Sequence, residues 1–143
     1  MVARGAPAQA RLKLVEPVIP EHAIQRSIAS TLRLEIGPEA KVSDAGVCWF
    51  CIDHAYIPRK GEPDIRTGRG IPQGIWDMLV LYQGRANWIE LKSRDGAVSD
   101  PQRSMAASLL LSGCRIAIAR DAGEVLTALD TWQIPRRHRV RFT

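Results

Sequence analysis

Residues 75–92 read Ile75-Trp76-Asp77-Met78-Leu79-Val80-Leu81-Tyr82-Gln83-Gly84-Arg85-Ala86-Asn87-Trp88-Ile89-Glu90-Leu91-Lys92. Two apolar runs, Ile75 to Tyr82 and Arg85 to Lys92, flank Gln83-Gly84, which is a hairpin signal. A strand alternates faces with period two, so Glu90 and Lys92 point one way while Ile89 and Leu91 point the other. Two opposite charges inside an apolar strand are costly unless they are paired or bound to a metal. That cost marks the segment as a functional candidate. Loop length then decides which other side chain joins them. With Gln83 and Gly84 as the loop, Tyr82 pairs with Arg85 and Asp77 falls opposite Glu90, so Asp77, Glu90 and Lys92 share a face. A three-residue loop without a bulge would put Asp77 on the other face. Glycine in a tight hairpin favours the shorter loop.

Working outward, Ile24, Ile28 and Leu32 recur every four residues and predict a helix from Glu21 to about Ile36, ended by Gly37-Pro38. Val47 to Ile52 predicts a short strand buried on both faces. Residues 54–74 are rich in Pro and Gly, the longest stretch with no element of its own, and loops of that length are usually functional or mobile. Ser99-Asp100-Pro101-Gln102 opens a second helix to Leu111, with Met105, Leu109 and Leu110 expected inward and Gly113 after its end. Arg115 to Ala119 is a further strand. Asp121 with Glu124 is a capping pattern for a third helix through Val125, Leu126 and Leu129. The order α-β-β-β-α-β-α predicts an α/β domain with a central mixed sheet flanked by helices. Residues 1–20 read as an N-terminal arm, 21–131 as the domain and 132–143 as a basic tail.

A chain of 143 residues fits one domain with a real core. Hydrophobic residues at 45% and charged residues at 24% are an ordinary soluble balance. No apolar run approaches the roughly 18 residues of a membrane span. Met1 to Gln9 lacks the apolar core of a signal peptide, so a cytoplasmic protein is the expectation. The net charge of +5 and a pI near 9.6 suggest a polyanionic partner. Arg59, Lys60, Arg66 and Arg69 fall in the Gly/Pro-rich stretch, and Arg136, Arg137, Arg139 and Arg141 crowd the C-terminus. Both look like phosphate-contacting segments, the alternative being a solvated loop and tail. Cys48 and Cys51 are three apart in a strand and face opposite sides, Cys114 is isolated, and a structural zinc site needs about four ligands. All three are expected to be buried free thiols.

Two convergent carboxylates suit a hard divalent cation, because Mg²⁺ takes oxygen ligands and keeps waters for reaction. The Leu91 carbonyl is a further candidate ligand. A neighbouring Lys92 is placed to orient the attacking water and offset charge developing on a phosphate. Glu21 lies three and seven positions before Ile24 and Ile28, beside the core-facing stripe of the first helix, and Gln25 one turn on shares that side. Taken alone, Glu21 reads first as a first-turn acid favoured by the helix dipole. Gln102 has two readings: with Ser99 it completes a capping box, or it contacts water or phosphate beside Lys92. His54 reads as a strand end or a nucleic-acid contact, and the four Trp read as packing.

Glu21-x-x-x-Gln25, Gly74-Ile75-Trp76-Asp77, Ile89-Glu90-Leu91-Lys92, Gly96, Ser99-x-x-Gln102 and Gly113-Cys114-Arg115-Ile116-Ala117-Ile118-Ala119, in that order, resemble the VRR-NUC (virus-type replication-repair nuclease) family of the PD-(D/E)xK nuclease superfamily. The resemblance covers about Glu21 to Leu129. It departs at Trp76, where the family usually has Pro before the acid. It implies a restriction-endonuclease-like core, with Asp77 and Glu90 as metal ligands, Lys92 as the catalytic lysine, Glu21 at the acidic edge and Gln102 as the family's glutamine. It further implies a homodimeric, Mg²⁺- or Mn²⁺-dependent, structure-selective DNA endonuclease, with four-way-junction resolvases among the activities and bacterial or phage-infected cells as the setting. The alternatives are a non-catalytic DNA-binding module on the same fold and a nuclease acting on RNA.

Overall fold

The structure is a computed structural model, and it describes residues 16–52 and 69–137. Four strands and three helices follow the expected order. They are α1 (Glu21–Glu35), β1 (Val47–Cys51), β2 (Met78–Tyr82), β3 (Arg85–Leu91), α2 (Asp100–Leu111), β4 (Arg115–Ala119) and α3 (Ala122–Thr131). The fold is α/β: one open, mixed four-stranded sheet in the order β1-β2-β3-β4. β1, β2 and β3 run antiparallel as a meander, and β4 returns parallel to β3 through α2.

The hairpin has the shorter loop. Tyr82 pairs with Arg85 and Met78 with Ile89, and both loop residues take positive φ, Gln83 at 50° and Gly84 at 71°. That is the geometry of a two-residue turn whose twist matches the strands. β2 itself starts at Met78, later than Ile75, because Ile75-Trp76-Asp77 leaves the sheet to meet α2. The β1 ladder nevertheless continues one step, with Ile52 N–H donating to the Asp77 carbonyl at 2.7 Å.

The core lies on one face of the sheet. Ile24, Ile28 and Leu32 of α1 pack with Val125 and Leu129 of α3 over Val47, Trp49, Met78, Val80, Ile89, Leu91 and Ala119. β1 is not buried on both faces: Val47 and Trp49 are buried, whereas Cys48 and Phe50 are half-covered. An edge strand covered from one side gives that alternation. α2 also departs from expectation. None of its residues is buried, and Leu110, expected inward, is 55% exposed. The core runs past the third helix to Ile134, beyond which Arg136 pairs with Glu35 and Asp130 at 3.0 and 2.9 Å. Arg136 is therefore part of the packed unit and not a free phosphate contact. Arg139 and Arg141 lie outside the described residues, as do His54, Arg59, Lys60 and Arg66. The three cysteines are free, as expected, but half-buried and not buried, since Cys48 and Cys51 lie in the edge strand and Cys114 just before β4. No helix among the described residues is long and apolar enough to cross a membrane.

Candidate active site

Since Ile89 and Leu91 point into the core, the pleat sends Glu90 and Lys92 to the opposite face of β3. Both are nevertheless enclosed, Glu90 at 1% and Lys92 at 8% exposure. The Lys92 Nζ lies 3.1 Å from Glu90 Oε1. The same oxygen accepts a hydrogen bond from the Gln102 side-chain amide at the start of α2. Glu90 Oε2 is buried, and no donor reaches it among the described residues. A buried, unsatisfied carboxylate oxygen is costly, so it asks for an explanation.

Asp77 stands across from Glu90 where the β2–β3 register continues past Met78 and Ile89. β2 has ended there, so the Leu91 N–H finds no strand partner and donates instead to Asp77 Oδ2 at 2.8 Å. In a strand the N–H and C=O of one residue leave the same edge. The Leu91 carbonyl therefore projects toward the Asp77 side. Burial pushes the Glu90 carboxyl up to about 7, and the Asp77 charge pushes in the same direction while Lys92 opposes both. Two acids and one lysine thus converge at the end of the sheet, Glu90 and Lys92 enclosed and Asp77 half-covered.

The capping reading of Gln102 holds, and the same amide also reaches Glu90. Its Oε1 accepts from the Ser99 N–H at 3.0 Å, and its own N–H donates to Ser99 Oγ at 3.3 Å, completing the capping box. Its Nε2, the other end of the same amide, serves Glu90. Glu21 is at the rim: its Oε1 lies 3.9 Å from Lys92 Nζ, and its side chain is half exposed. Gln25 goes elsewhere, turning to the Cys51 thiol at the end of β1, which burial pushes up and the Gln25 hydrogen bond pulls down. Arg69 is exposed.

Three residues given no part in the site by the sequence hold these groups. The Trp76 indole N–H donates to the Gln102 backbone carbonyl at 3.1 Å. Gly74 lets two backbones meet: a Cβ there would lie 2.4 Å from the Pro101 carbonyl carbon. Arg120 Nη1 donates to the carbonyls of Ser93, Arg94 and Gly96 at 2.5, 3.2 and 3.0 Å, fixing the turn that follows Lys92. The available signal for Trp76 was chemical, since a buried indole N–H needs an acceptor.

Among the described residues no group of three or more His, Cys, Asp or Glu is gathered to hold a metal ion. Asp77, Glu90 and the Leu91 carbonyl place two carboxylates and one backbone oxygen at this end of the sheet. Comparison with family models, curated proteins and solved structures finds no match for this chain.

Proposed function

We propose that the chain is a Mg²⁺- or Mn²⁺-dependent endodeoxyribonuclease, a VRR-NUC-type member of the PD-(D/E)xK nucleases on a restriction-endonuclease-like core. The observation that carries the reading is the division of labour on Glu90. Oε1 is held by Lys92 and Gln102, while among the described residues no donor serves the enclosed Oε2 and the second acid, Asp77, lies against the same carboxyl. A pair of carboxylates with one uncommitted oxygen fits a hard cation that takes few protein ligands and keeps its waters.

Asp77, Glu90 and the Leu91 carbonyl are the residues that would hold the cation, with Glu21 at its outer edge. When bound, such a cation polarises the scissile phosphate and lowers the pKa of a coordinated water. Lys92 is fixed by Glu90, so its ammonium orients the attacking water and offsets negative charge as the phosphorus becomes pentacoordinate. Gln102 keeps Glu90 Oε1 occupied, which turns the other oxygen toward Asp77. Arg69 and the basic residues Arg59, Lys60 and Arg66 would supply phosphate contacts that position the duplex without reading sequence.

A homodimer acting on branched DNA in the cytoplasm of a bacterial or phage-infected cell completes the proposal, since two sites related by a two-fold axis suit a symmetric junction. The test is cleavage of flap, splayed-arm, four-way and linear DNA, with matched RNA, by wild type, Asp77→Ala and Lys92→Ala in Mg²⁺ or Mn²⁺. Both substitutions are expected to abolish cleavage. Activity that survives both overturns the assignment, and a monomer by light scattering removes junction resolution.

A further inference from the structure

α2 buries none of its residues, yet it delivers Gln102 to a carboxylate that is almost fully enclosed. Its aim therefore comes from its first turn. Two contacts of that turn run to the segment before Asp77. Gly74, at φ +75°, meets the Pro101–Gln102 backbone so closely that a Cβ would lie 2.4 Å from Pro101 C and 2.6 Å from Gln102 N. The buried Trp76 donates its indole N–H to the Gln102 carbonyl at 3.1 Å. A carbonyl has two lone pairs, so this bond adds to the helix ladder without replacing it.

We propose that Trp76 is a positioning residue for this site: its indole N–H ties the first turn of α2 to the strand entry that carries Asp77, so that Gln102 and Asp77 reach Glu90 in one fixed geometry. The peptide bond between Trp76 and Asp77 makes the coupling short. The Trp76 ring anchors Gln102 from one side, and the next residue presents its carboxylate to the Leu91 N–H from the other. Trp76 touches no reacting group and acts through Gln102. The kinetic consequence rests on the nuclease reading, whereas the positioning itself does not.

The test uses the full chain with Trp76→Phe, which keeps the ring and removes the donor. In metal-free protein, hydrogen exchange of the Gln102 side-chain amide is followed by nuclear magnetic resonance. Losing one hydrogen bond is expected to speed that exchange about fivefold and move the amide resonance toward that of free glutamine. In the cleavage assay kcat falls about fivefold with KM for DNA unchanged. Adding Gln102→Ala to Trp76→Phe then costs much less than Gln102→Ala costs alone, because the two act as one unit. An unchanged Gln102 amide in Trp76→Phe, or losses that multiply, overturns the proposal. Should Trp76→Phe not fold, Gly74→Ala separates the same two segments with the indole in place. It is expected to give the same amide change, and a folded Gly74→Ala with the wild-type amide signature refutes the coupling. If wild type cleaves nothing, the nuclease reading fails while the amide measurement still decides the positioning.

Discussion

Replacing Glu90 by Gln tests how heavily the site weighs on the fold. Glutamine keeps the shape of the protonated acid and removes the charge that burial and Asp77 oppose. The folded protein lifts the Glu90 carboxyl from an ordinary value of 4.5 to about 7. At about 1.4 kcal/mol for each pKa unit, the ionised side chain costs the metal-free fold about 3 kcal/mol relative to the neutral one. The sign follows from linkage. Below pH 4.5 folded and unfolded chains both hold the proton, and wild type and Glu90→Gln have equal stability. As pH rises toward 7 the unfolded chain gives up its proton first, so wild type loses stability across this window while the variant does not. Above pH 7 Glu90→Gln is expected to be the more stable protein by about 3 kcal/mol, roughly 10 °C in Tm for a chain of this size. Urea denaturation in chelator at pH 4.5 and pH 8 measures the gap. Under the proposed function, saturating Mg²⁺ stabilises wild type alone and narrows it. A variant no more stable than wild type at pH 8, or a gap that does not open with pH, refutes the reasoning.

Two further substitutions test largely buried polar contacts of the fold. Arg136→Ala removes a guanidinium, 14% exposed, that joins α1 to the end of α3 through Glu35 and Asp130; about 2–3 kcal/mol of stability is expected to go and, under the proposed function, DNA affinity to stay unchanged. Weaker DNA binding at unchanged stability, read by chemical denaturation and fluorescence anisotropy, would return Arg136 to the phosphate-contacting set. Asn87→Leu strips partners from the Val80 carbonyl and from Arg115 Nε, which lies 2.6 Å from the Asn87 oxygen. A loss of about 2 kcal/mol is expected in urea. A change below about 0.5 kcal/mol would mean that this buried network contributes nothing.

The hairpin was legible because one count, the length of the loop, decides which face Asp77 takes, and Gly84 beside a β-rich run settles that count. The capping box was legible for a similar reason: Ser99 and Gln102 are one helical turn apart. What escaped was tertiary. Trp76 and Gln102 are 26 positions apart, and nothing local marks them as neighbours. The partner of Arg136 at Glu35 is 101 positions away, so a cluster of arginines at the C-terminus read as a solvated or phosphate-binding tail. In α2 the apolar residues misled: Met105, Leu109 and Leu110 are spaced like a buried face, yet the helix lies where the sheet is only half covered. Periodicity reports amphipathicity, whereas burial depends on what the helix meets.

Gln102 joins its helix cap and the Glu90 carboxylate through one planar group. An amide usually leaves open which end is oxygen and which is nitrogen. Here the Ser99 N–H demands an oxygen on one side, and the Glu90 carboxylate demands a donor on the other. A rotation of half a turn would set like against like at both ends, so the helix cap acts as a ratchet that keeps the amide's hydrogens turned to the acid. Glutamate at this position would satisfy Ser99 and repel Glu90, which makes residue 102 a place where a normally harmless capping substitution carries the cost of a site mutation.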